Sequence, residues 1–360
     1  MNQISIANIL LTRRCNLSCE YCRLVKDIPE VSEYPLMSHY KNNELTSGEW
    51  IEIIRRLKAN NPNVFLVIYG GEPFIYDGLS DILNYCHNEN IFYTVISNNT
   101  DGVQNRIEKV RNEIGGIFRG FTSSVDPLVL DPLKDCSIEK IRQPDFNLTL
   151  DKLERIISNS SDIYKKSYYG LKRLIEMKKS GKAEDVVAEI TLTKDTVKYL
   201  YNLVKLLSDN NIYSSITVLD DQKTKYYDFS SIVDTNLLVE KTQEVRDQFD
   251  KILNDKSLLI HIPELLNNLY DMLPSNGCCE LNNDIHNVTI DADGTFRLCL
   301  RIRGTESVKL SLDSVLDFDG TVQKEFVDNI RKDFFKYCKL CNWTCSCIMS
   351  KLFTSNIIDH

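Results

Sequence analysis

The chain has 360 residues, a hydrophobic share of 42% and a charged share of 26%. These values exclude a single small module and are typical of a folded protein with one large domain or two ordinary ones. No apolar run approaches the roughly 20 residues of a membrane span, and residues 6–11 are too short for a signal-peptide core. We therefore expect a soluble, cytoplasmic protein without a membrane partner. The net charge of −8 disfavours nucleic acid held by the overall field, although a local basic groove would escape this count.

Short β-rich runs alternate with amphipathic segments in the first part of the chain. The six runs lie at residues 4–12, 64–70, 91–98, 120–126, 185–193 and 213–220. Residues 47–60 predict a helix capped by Ser47, with one apolar stripe formed by Trp50, Ile53, Ile54 and Leu57. Alternating strands and helices predict parallel strands joined by right-handed crossovers, in an open doubly wound sheet or in a complete or partial barrel.

The pattern changes after about residue 225. Residues 235–253 predict a long helix with a polar face, and residues 262–273 predict another. Residues 287–302 predict a hairpin in which Asp293-Gly294 separates two alternating runs. We therefore expect three units, which are an α/β unit at 1–225, a helical linker at 226–275 and a small cysteine-rich unit at 276–360.

Most of the twelve cysteines fall into two clusters, which favours metal ligation over disulfides in a reducing compartment. The first cluster consists of Cys15, Cys19 and Cys22, directly after the first predicted strand. A structural zinc needs four ligands, whereas a 4Fe–4S cluster held by three cysteines leaves one iron free to bind a small molecule. The carboxyl end of a strand is also where α/β sheets and barrels place active sites. A zinc site or ordinary thiols remain the alternative.

The first cluster resembles that of the radical S-adenosylmethionine (SAM) enzymes. Their signature is C-x3-C-x2-C after the first strand with an aromatic residue before the last cysteine, a place that Tyr21 holds here. Gly70-Gly71-Glu72-Pro73, at the end of the second predicted strand, resembles the family's second signature. The resemblance implies a partial (βα)6 TIM-like barrel over about residues 4–220. It also implies that Cys15, Cys19 and Cys22 are catalytic ligands of a 4Fe–4S cluster that binds SAM.

Further matches follow in the family's order. By resemblance, Gly70, Gly71 and Pro73 belong to the SAM site and Glu72 accepts a hydrogen bond from the SAM ammonium group. Asn98, Ser124 and Asp126 end the third and fourth predicted strands, and the resemblance places them beside SAM as well. Residues 188–196 resemble the fifth-strand segment that flanks the adenosine. The bland alternative is that the glycines form a plain turn and that Ser124 and Asp126 only cap one.

The second cysteine cluster resembles the Twitch and SPASM extensions of radical SAM enzymes. Fourteen residues separate Cys279 from Gly294, and four separate Gly294 from Cys299. The end of the chain departs from the SPASM pattern, because it reads C-x2-C-x3-C-x-C without a later cysteine. Our first choice is one auxiliary 4Fe–4S cluster on Cys279, Cys299, Cys338 and Cys341. The alternatives are two clusters that also use Cys278, Cys345 and Cys347, or a structural zinc.

By resemblance, the protein is an oxidoreductase that cleaves SAM reductively to a 5′-deoxyadenosyl radical, which abstracts hydrogen from a substrate. Enzymes with such extensions mostly crosslink, oxidise or epimerise residues of ribosomal peptides or proteins and receive electrons from a flavodoxin or ferredoxin. A dehydrogenase or isomerase of a small molecule is one alternative. A modifier of a nucleotide or nucleic-acid base is another, which the acidic pI disfavours. The non-enzyme alternative is an iron–sulfur or zinc binding module.

Overall fold

The computed structural model describes the chain with several gaps. The described residues are 4–17, 44–125, 129, 149–157, 162–218, 238–260, 266, 270, 287–294, 296–297, 315–317 and 319–324. Eleven sequence-predicted metal ligands and SAM-site residues lie outside the described residues, so their contacts stay predictions. They are Cys19, Tyr21, Cys22, Asp126, Cys278, Cys279, Cys299, Cys338, Cys341, Cys345 and Cys347.

The fold is a curled half-barrel of seven parallel strands, which confirms the predicted α/β partial barrel. The strands are β1 Ile6–Thr12, β2 Phe65–Gly70, β3 Phe92–Ser97, β4 Phe118–Val125, β5 Ala183–Leu192, β6 Tyr213–Val218, β7 Asn287–Ile290 and β8 Phe296–Arg297. The sheet order is β6-β5-β4-β3-β2-β1-β7, and β8 joins β7 in the antiparallel direction. All six predicted strands are present, with bounds that differ from the prediction by at most two residues.

Helices connect the strands and cover the convex face. They are α1 Ser47–Asn60, α2 Leu79–Asn88, α3 Gln104–Glu113, α4 Leu150–Ile157, α5 Asp162–Lys179, α6 Leu200–Asp209 and α7 Gln243–Asn254. The predicted stripe of α1 is confirmed, since Trp50, Ile53, Ile54 and Leu57 are all buried. The long helix predicted at 235–253 instead begins at Gln243, because the Thr242 hydroxyl accepts a hydrogen bond from Val245 N–H and caps it there. No helix in the described part of the chain is long and apolar enough to cross a membrane.

Each strand sends alternate side chains to the two faces of the sheet. In β5, Ala188, Ile190 and Leu192 are fully buried on the helix side, whereas Val187, Glu189 and Thr191 are half-buried on the concave side. The hydroxyls of Thr94 on β3 and Thr122 on β4 lie 2.8 Å apart on the concave side. This face therefore carries polar groups beside a hydrophobic core that lies between the sheet and its helices.

The predicted hairpin exists, but its first strand extends the half-barrel. Gly294 N–H donates to the Asp291 carbonyl at 2.8 Å in the turn between β7 and β8. β7 pairs in parallel with β1, with Ile290 opposite Ile9. The sequence suggested six barrel strands because β7 is only four residues long and follows a break of about 70 residues after β6. Both Val288 and Ile290 are fully buried, which supplies the driving force for this non-local pairing.

The cap of α1 lies one residue before the predicted position. Thr46 Oγ1 accepts from Glu49 N–H, and Glu49 Oε2 accepts from Thr46 N–H, so the two residues form a capping box. The Ser47 hydroxyl instead donates to Asp81 on α2.

We expect Thr46→Ala to lower the free energy of unfolding by about 1 kcal/mol, because the helix would lose its capping box. Ser47→Ala is the matched control and should have a smaller effect in the same thermal or urea unfolding measurement. An equal loss for both variants would contradict the assignment.

Candidate active site

The ends of β1 and β2 meet where the first cysteine begins the predicted ligand loop. Gly71 N–H donates to the Thr12 carbonyl at 2.7 Å, and Glu72 N–H donates to the Arg14 carbonyl at 2.8 Å. A Cβ atom on Gly71 would lie 2.6 Å from the Arg14 carbonyl carbon, and one on Gly70 would overlap the Thr12 carbonyl oxygen. Both glycines are therefore required by the backbone that leads to Cys15. Their predicted contact with SAM is a separate matter and stays a prediction.

The Glu72 carboxylate is fully buried between the ends of β2 and β3. Its oxygens accept hydrogen bonds from Ser97 Oγ at 3.0 Å, Asn98 N–H at 2.8 Å and Phe74 N–H at 3.2 Å. The bond from Phe74 caps a short 3-10 helix that Pro73 begins. Burial raises the pKa of Glu72 to about 7, although the three hydrogen bonds act in the opposite direction. The predicted contact between this carboxylate and the SAM ammonium group stays a prediction.

Asn98 links the end of β3 to Cys15. Its Nδ2 donates to Asn16 Oδ1 at 2.8 Å and lies 3.8 Å from Cys15 Sγ. Its Oδ1 accepts from the Thr100 hydroxyl at 2.8 Å, and Thr100 Oγ1 in turn accepts from Asn16 Nδ2 at 2.9 Å. This closed ring of hydrogen bonds fixes Asn98 beside the thiol. The sequence indicated Asn98, whereas Asn16 and Thr100 had no signal except their position next to predicted site residues.

The environment of Cys15 fits a metal-bound thiolate. The residue is half-buried, and its sulfur accepts hydrogen bonds from the Leu17 main-chain N–H at 3.4 Å and from Asn98 Nδ2 at 3.8 Å. N–H donors stabilise the negative charge on a ligating sulfur and influence the potential of an iron–sulfur cluster. Three ligand-type side chains do not converge anywhere within the described residues, which include a single cysteine of the predicted clusters. Cys15 is thus the only predicted ligand whose surroundings the structure tests.

A row of polar side chains continues from Asn98 across the concave face. Ser124 near the end of β4 is exposed and pairs in register with Glu189 on β5, which pairs with Ser215 on β6. No cation of the described residues pairs with Glu189, and desolvation by the surrounding protein raises the pKa of its carboxyl group. At about 4.8 Å between neighbouring strands, Glu189 lies roughly 10 Å from the end of β3. Sequence analysis included Glu189 in the segment 188–196 that resembles the one flanking the adenosine, but no spacing rule marked this residue within the segment.

Comparison with known proteins finds a family match over the part of the chain that contains Cys15, Glu72 and Asn98. Residues 9–157 match the radical SAM superfamily. An S-adenosylmethionine-dependent nucleotide dehydratase from Selenomonas ruminantium is 28% identical over 92 residues, which cover 25% of this chain and 28% of that protein. The radical SAM cyclopropyl synthase TigE from Paramaledivibacter caminithermalis is 22% identical over 234 residues, which cover 62% of this chain and 43% of that protein. The match therefore spans less than half the length of either relative.

Solved structures share the fold at low sequence identity. SuiB of Streptococcus suis, bound to the precursor peptide SuiA, has a TM-score of 0.59 at 14% identity, with 99% of this chain and 74% of SuiB covered. The enzyme anSMEcpe, with bound AdoMet and the Kp18Cys peptide, has a TM-score of 0.52 at 14% identity, with 98% of this chain and 96% of anSMEcpe covered. Likeness at this identity shows the fold alone, and the predicted resemblance to radical SAM enzymes is confirmed by the family match over residues 9–157.

The raised pKa of the buried Glu72 carboxyl group predicts that the stability of the fold depends on pH. The pKa of Glu72 is about 7 in the folded chain and has an ordinary value of 4.5, so the folded state retains a proton that the unfolded state releases in this window. The contribution of this proton to the free energy of unfolding is therefore fully present below pH 4.5. It is lost as the pH rises through 7, by at most about 3 kcal/mol. Glu72→Gln cannot ionise, so we expect the apparent Tm of wild type to fall relative to that of Glu72→Gln between about pH 5 and pH 8.

The control is Glu113→Gln on the exposed end of α3, which should keep a constant difference in apparent Tm from wild type over the same range. A constant difference between wild type and Glu72→Gln would contradict the assignment of a raised pKa.

Proposed function

Because this chain carries a radical SAM domain, we propose that it cleaves SAM reductively at a 4Fe–4S cluster held by Cys15, Cys19 and Cys22. The supporting observation is the arrangement around Cys15. Its sulfur accepts hydrogen bonds from N–H groups, and Asn98 connects it to the end of β3. The Thr12 and Arg14 carbonyls just before it accept hydrogen bonds from Gly71 and Glu72 N–H. A cluster with SAM bound would supply a 5′-deoxyadenosyl radical that removes a hydrogen atom from an unactivated carbon.

The protein's contribution is position and exclusion of water. The Gly70-Gly71 backbone, Asn98 and Ser124 lie at the carboxyl ends of neighbouring strands, where a SAM molecule bound beside Cys15 would contact them. In this proposal Tyr21 and Asp126 contribute to the same site, and Glu72 acts mainly by fixing the ends of β2 and β3. The half-buried concave face beyond Ser124 receives the substrate, with Glu189 on its wall.

We favour a residue of a ribosomal peptide or protein as the substrate, modified by crosslinking, oxidation or epimerisation. Two lines of similarity support this choice. The structures of SuiB and anSMEcpe hold peptides, and both match nearly all of this chain. We also propose the cytoplasm as the location and a flavodoxin or ferredoxin as the electron donor. The units at 1–225, 226–275 and 276–360 complete the proposal for the whole chain.

A nucleotide substrate is the second candidate. One observation favours it, which is the 28% identity to the nucleotide dehydratase of Selenomonas ruminantium. That match covers only 25% of this chain, so it bears on the domain more than on the substrate cavity. The class of compound that raises 5′-deoxyadenosine formation above the substrate-free rate, a peptide or a nucleotide, separates the two candidates.

An auxiliary 4Fe–4S cluster on Cys279, Cys299, Cys338 and Cys341 belongs to the same proposal. Because each such cluster holds four irons, reconstituted protein should contain about eight irons per chain. About twelve would instead support two auxiliary clusters that also use Cys278, Cys345 and Cys347. Elemental analysis checks this count, and about one zinc with about four irons per chain would contradict the auxiliary cluster.

Replacement of the cluster ligand tests the central step. Cys15→Ala should abolish 5′-deoxyadenosine formation from SAM and dithionite under anaerobic conditions, because the cluster would lose a ligand. Cys86→Ala is the matched control, since Cys86 is fully buried in α2 among apolar side chains and should leave the product intact. Liquid chromatography of the nucleoside product is the measurement. Persistence of the product in Cys15→Ala would refute the assignment.

A further inference from the structure

Two arginines separate β1 from Cys15, and carboxylates from other parts of the chain hold both. Arg13 donates from Nε to Asp291 Oδ1 at 3.0 Å and from its terminal nitrogen to Oδ2, and the two side chains are 8% and 2% exposed. Arg14 forms the same two-bond pair with Glu44, at 3.1 and 2.8 Å. A two-bond pair fixes the plane of a guanidinium group as well as its position.

A main-chain hydrogen bond also joins the segment of Glu44 to that of Asp291. Leu45 N–H donates to the Ala292 carbonyl at 2.8 Å, and Ala292 N–H donates to Asp291 Oδ1 at 2.8 Å. Gly294 has a φ of +80°, and a Cβ atom there would lie 3.0 Å from the Leu45 side chain. We call residues 12–14, 44–45 and 291–294 the clasp. It brings the hairpin β7–β8 against the start of the cysteine loop.

We propose that the Arg13–Asp291 pair is a positioning contact through which the hairpin β7–β8 fixes the backbone that carries Cys15. The inference rests on the proposed function, in which Cys15 is a ligand of the SAM-binding cluster. Arg13 is permanently charged and nearly buried, so its guanidinium needs a counter-charge. Loss of the two hydrogen bonds to Asp291 would let the guanidinium shift and displace the backbone two residues before Cys15.

The pair also connects the segment after the first strand to the C-terminal hairpin β7–β8. Arg13 and Asp291 are 278 residues apart, and Asp291 lies in the hairpin between the proposed auxiliary ligands Cys279 and Cys299. In this proposal a change in the C-terminal unit reaches the SAM-binding cysteine through the clasp, and the Arg13–Asp291 pair is the contact next to the cysteine loop. Asp291 acts on the cysteine loop through Arg13, whose guanidinium is held in position by two hydrogen bonds to the Asp291 carboxylate.

The test compares Asp291→Asn with Arg56→Gln in the full-length chain. Asn keeps the size of the side chain and can still accept from Ala292 N–H, but it removes the counter-charge of Arg13. Arg56 is a good match because it is only 6% exposed, pairs with Glu52 and donates to the Leu316 carbonyl in the C-terminal part at 3.2 Å. Among the described residues, its partners Glu52 and Leu316 lie outside the clasp. Arg13→Gln removes the other half of the pair, should Asp291→Asn fail to fold.

The first measurement is the rate of Cys15 alkylation by iodoacetamide in cluster-free protein, followed by mass spectrometry with buried Cys86 as the internal reference. We expect Asp291→Asn to raise this rate about tenfold through local opening, with Cys86 still protected. Arg56→Gln should lower the Tm without changing the Cys15 rate. Arg13→Lys, which keeps the charge, should lie nearer to wild type than Arg13→Gln.

The second measurement is SAM affinity by equilibrium dialysis of the reconstituted protein, where we expect about tenfold weaker binding for Asp291→Asn and no change for Arg56→Gln. An unchanged Cys15 rate in Asp291→Asn would overturn the inference, and so would equal increases in both variants. Wild-type protein that binds no SAM would refute the proposed function, whereas the alkylation rates would still decide whether the pair positions Cys15.

Discussion

The close contact between the Gly70-Gly71 backbone and the end of β1 is the constraint on which the rest of the site depends. No side chain fits between these segments, so β2 leaves the sheet directly against the carbonyl groups of Thr12 and Arg14. Cys15 follows immediately, so the path of its backbone depends on these two glycines. A substitution at either glycine would change the local backbone of the thiol without contacting it.

The buried carboxylate of Glu72 extends this constraint to β3. Three hydrogen bonds from Phe74, Ser97 and Asn98 favour its charged form, yet its raised pKa shows that desolvation outweighs them. Asn98 takes part in this network with its main chain and holds Asn16 beside Cys15 with its side chain. The ends of β1, β2 and β3 thus form one hydrogen-bonded unit.

Local pattern predicted the parts of this arrangement that depend on local sequence. Six strands and the stripe of α1 followed from hydrophobic periodicity, and Cys15, Glu72 and Asn98 followed from resemblance to short motifs. The cap at Thr46 was missed by one residue because Thr and Ser are adjacent and both can cap. The pairing of β7 with β1 and the contact between Arg13 and Asp291 depend on residues almost the whole chain apart, so no window of sequence contains their cause.

The strand that completes the sheet beside β1 also lies next to the candidate site. A half-barrel leaves open edges whose N–H and carbonyl groups need partners. At the β6 edge, Ser214 N–H donates to the Leu259 carbonyl at 3.0 Å, so this edge is paired through the main chain. At the β1 edge, β7 satisfies the backbone and also delivers Asp291 to Arg13. The Arg13–Asp291 pair therefore forms only when the hairpin is docked, and it links the start of the cysteine loop to the C-terminal part of the chain.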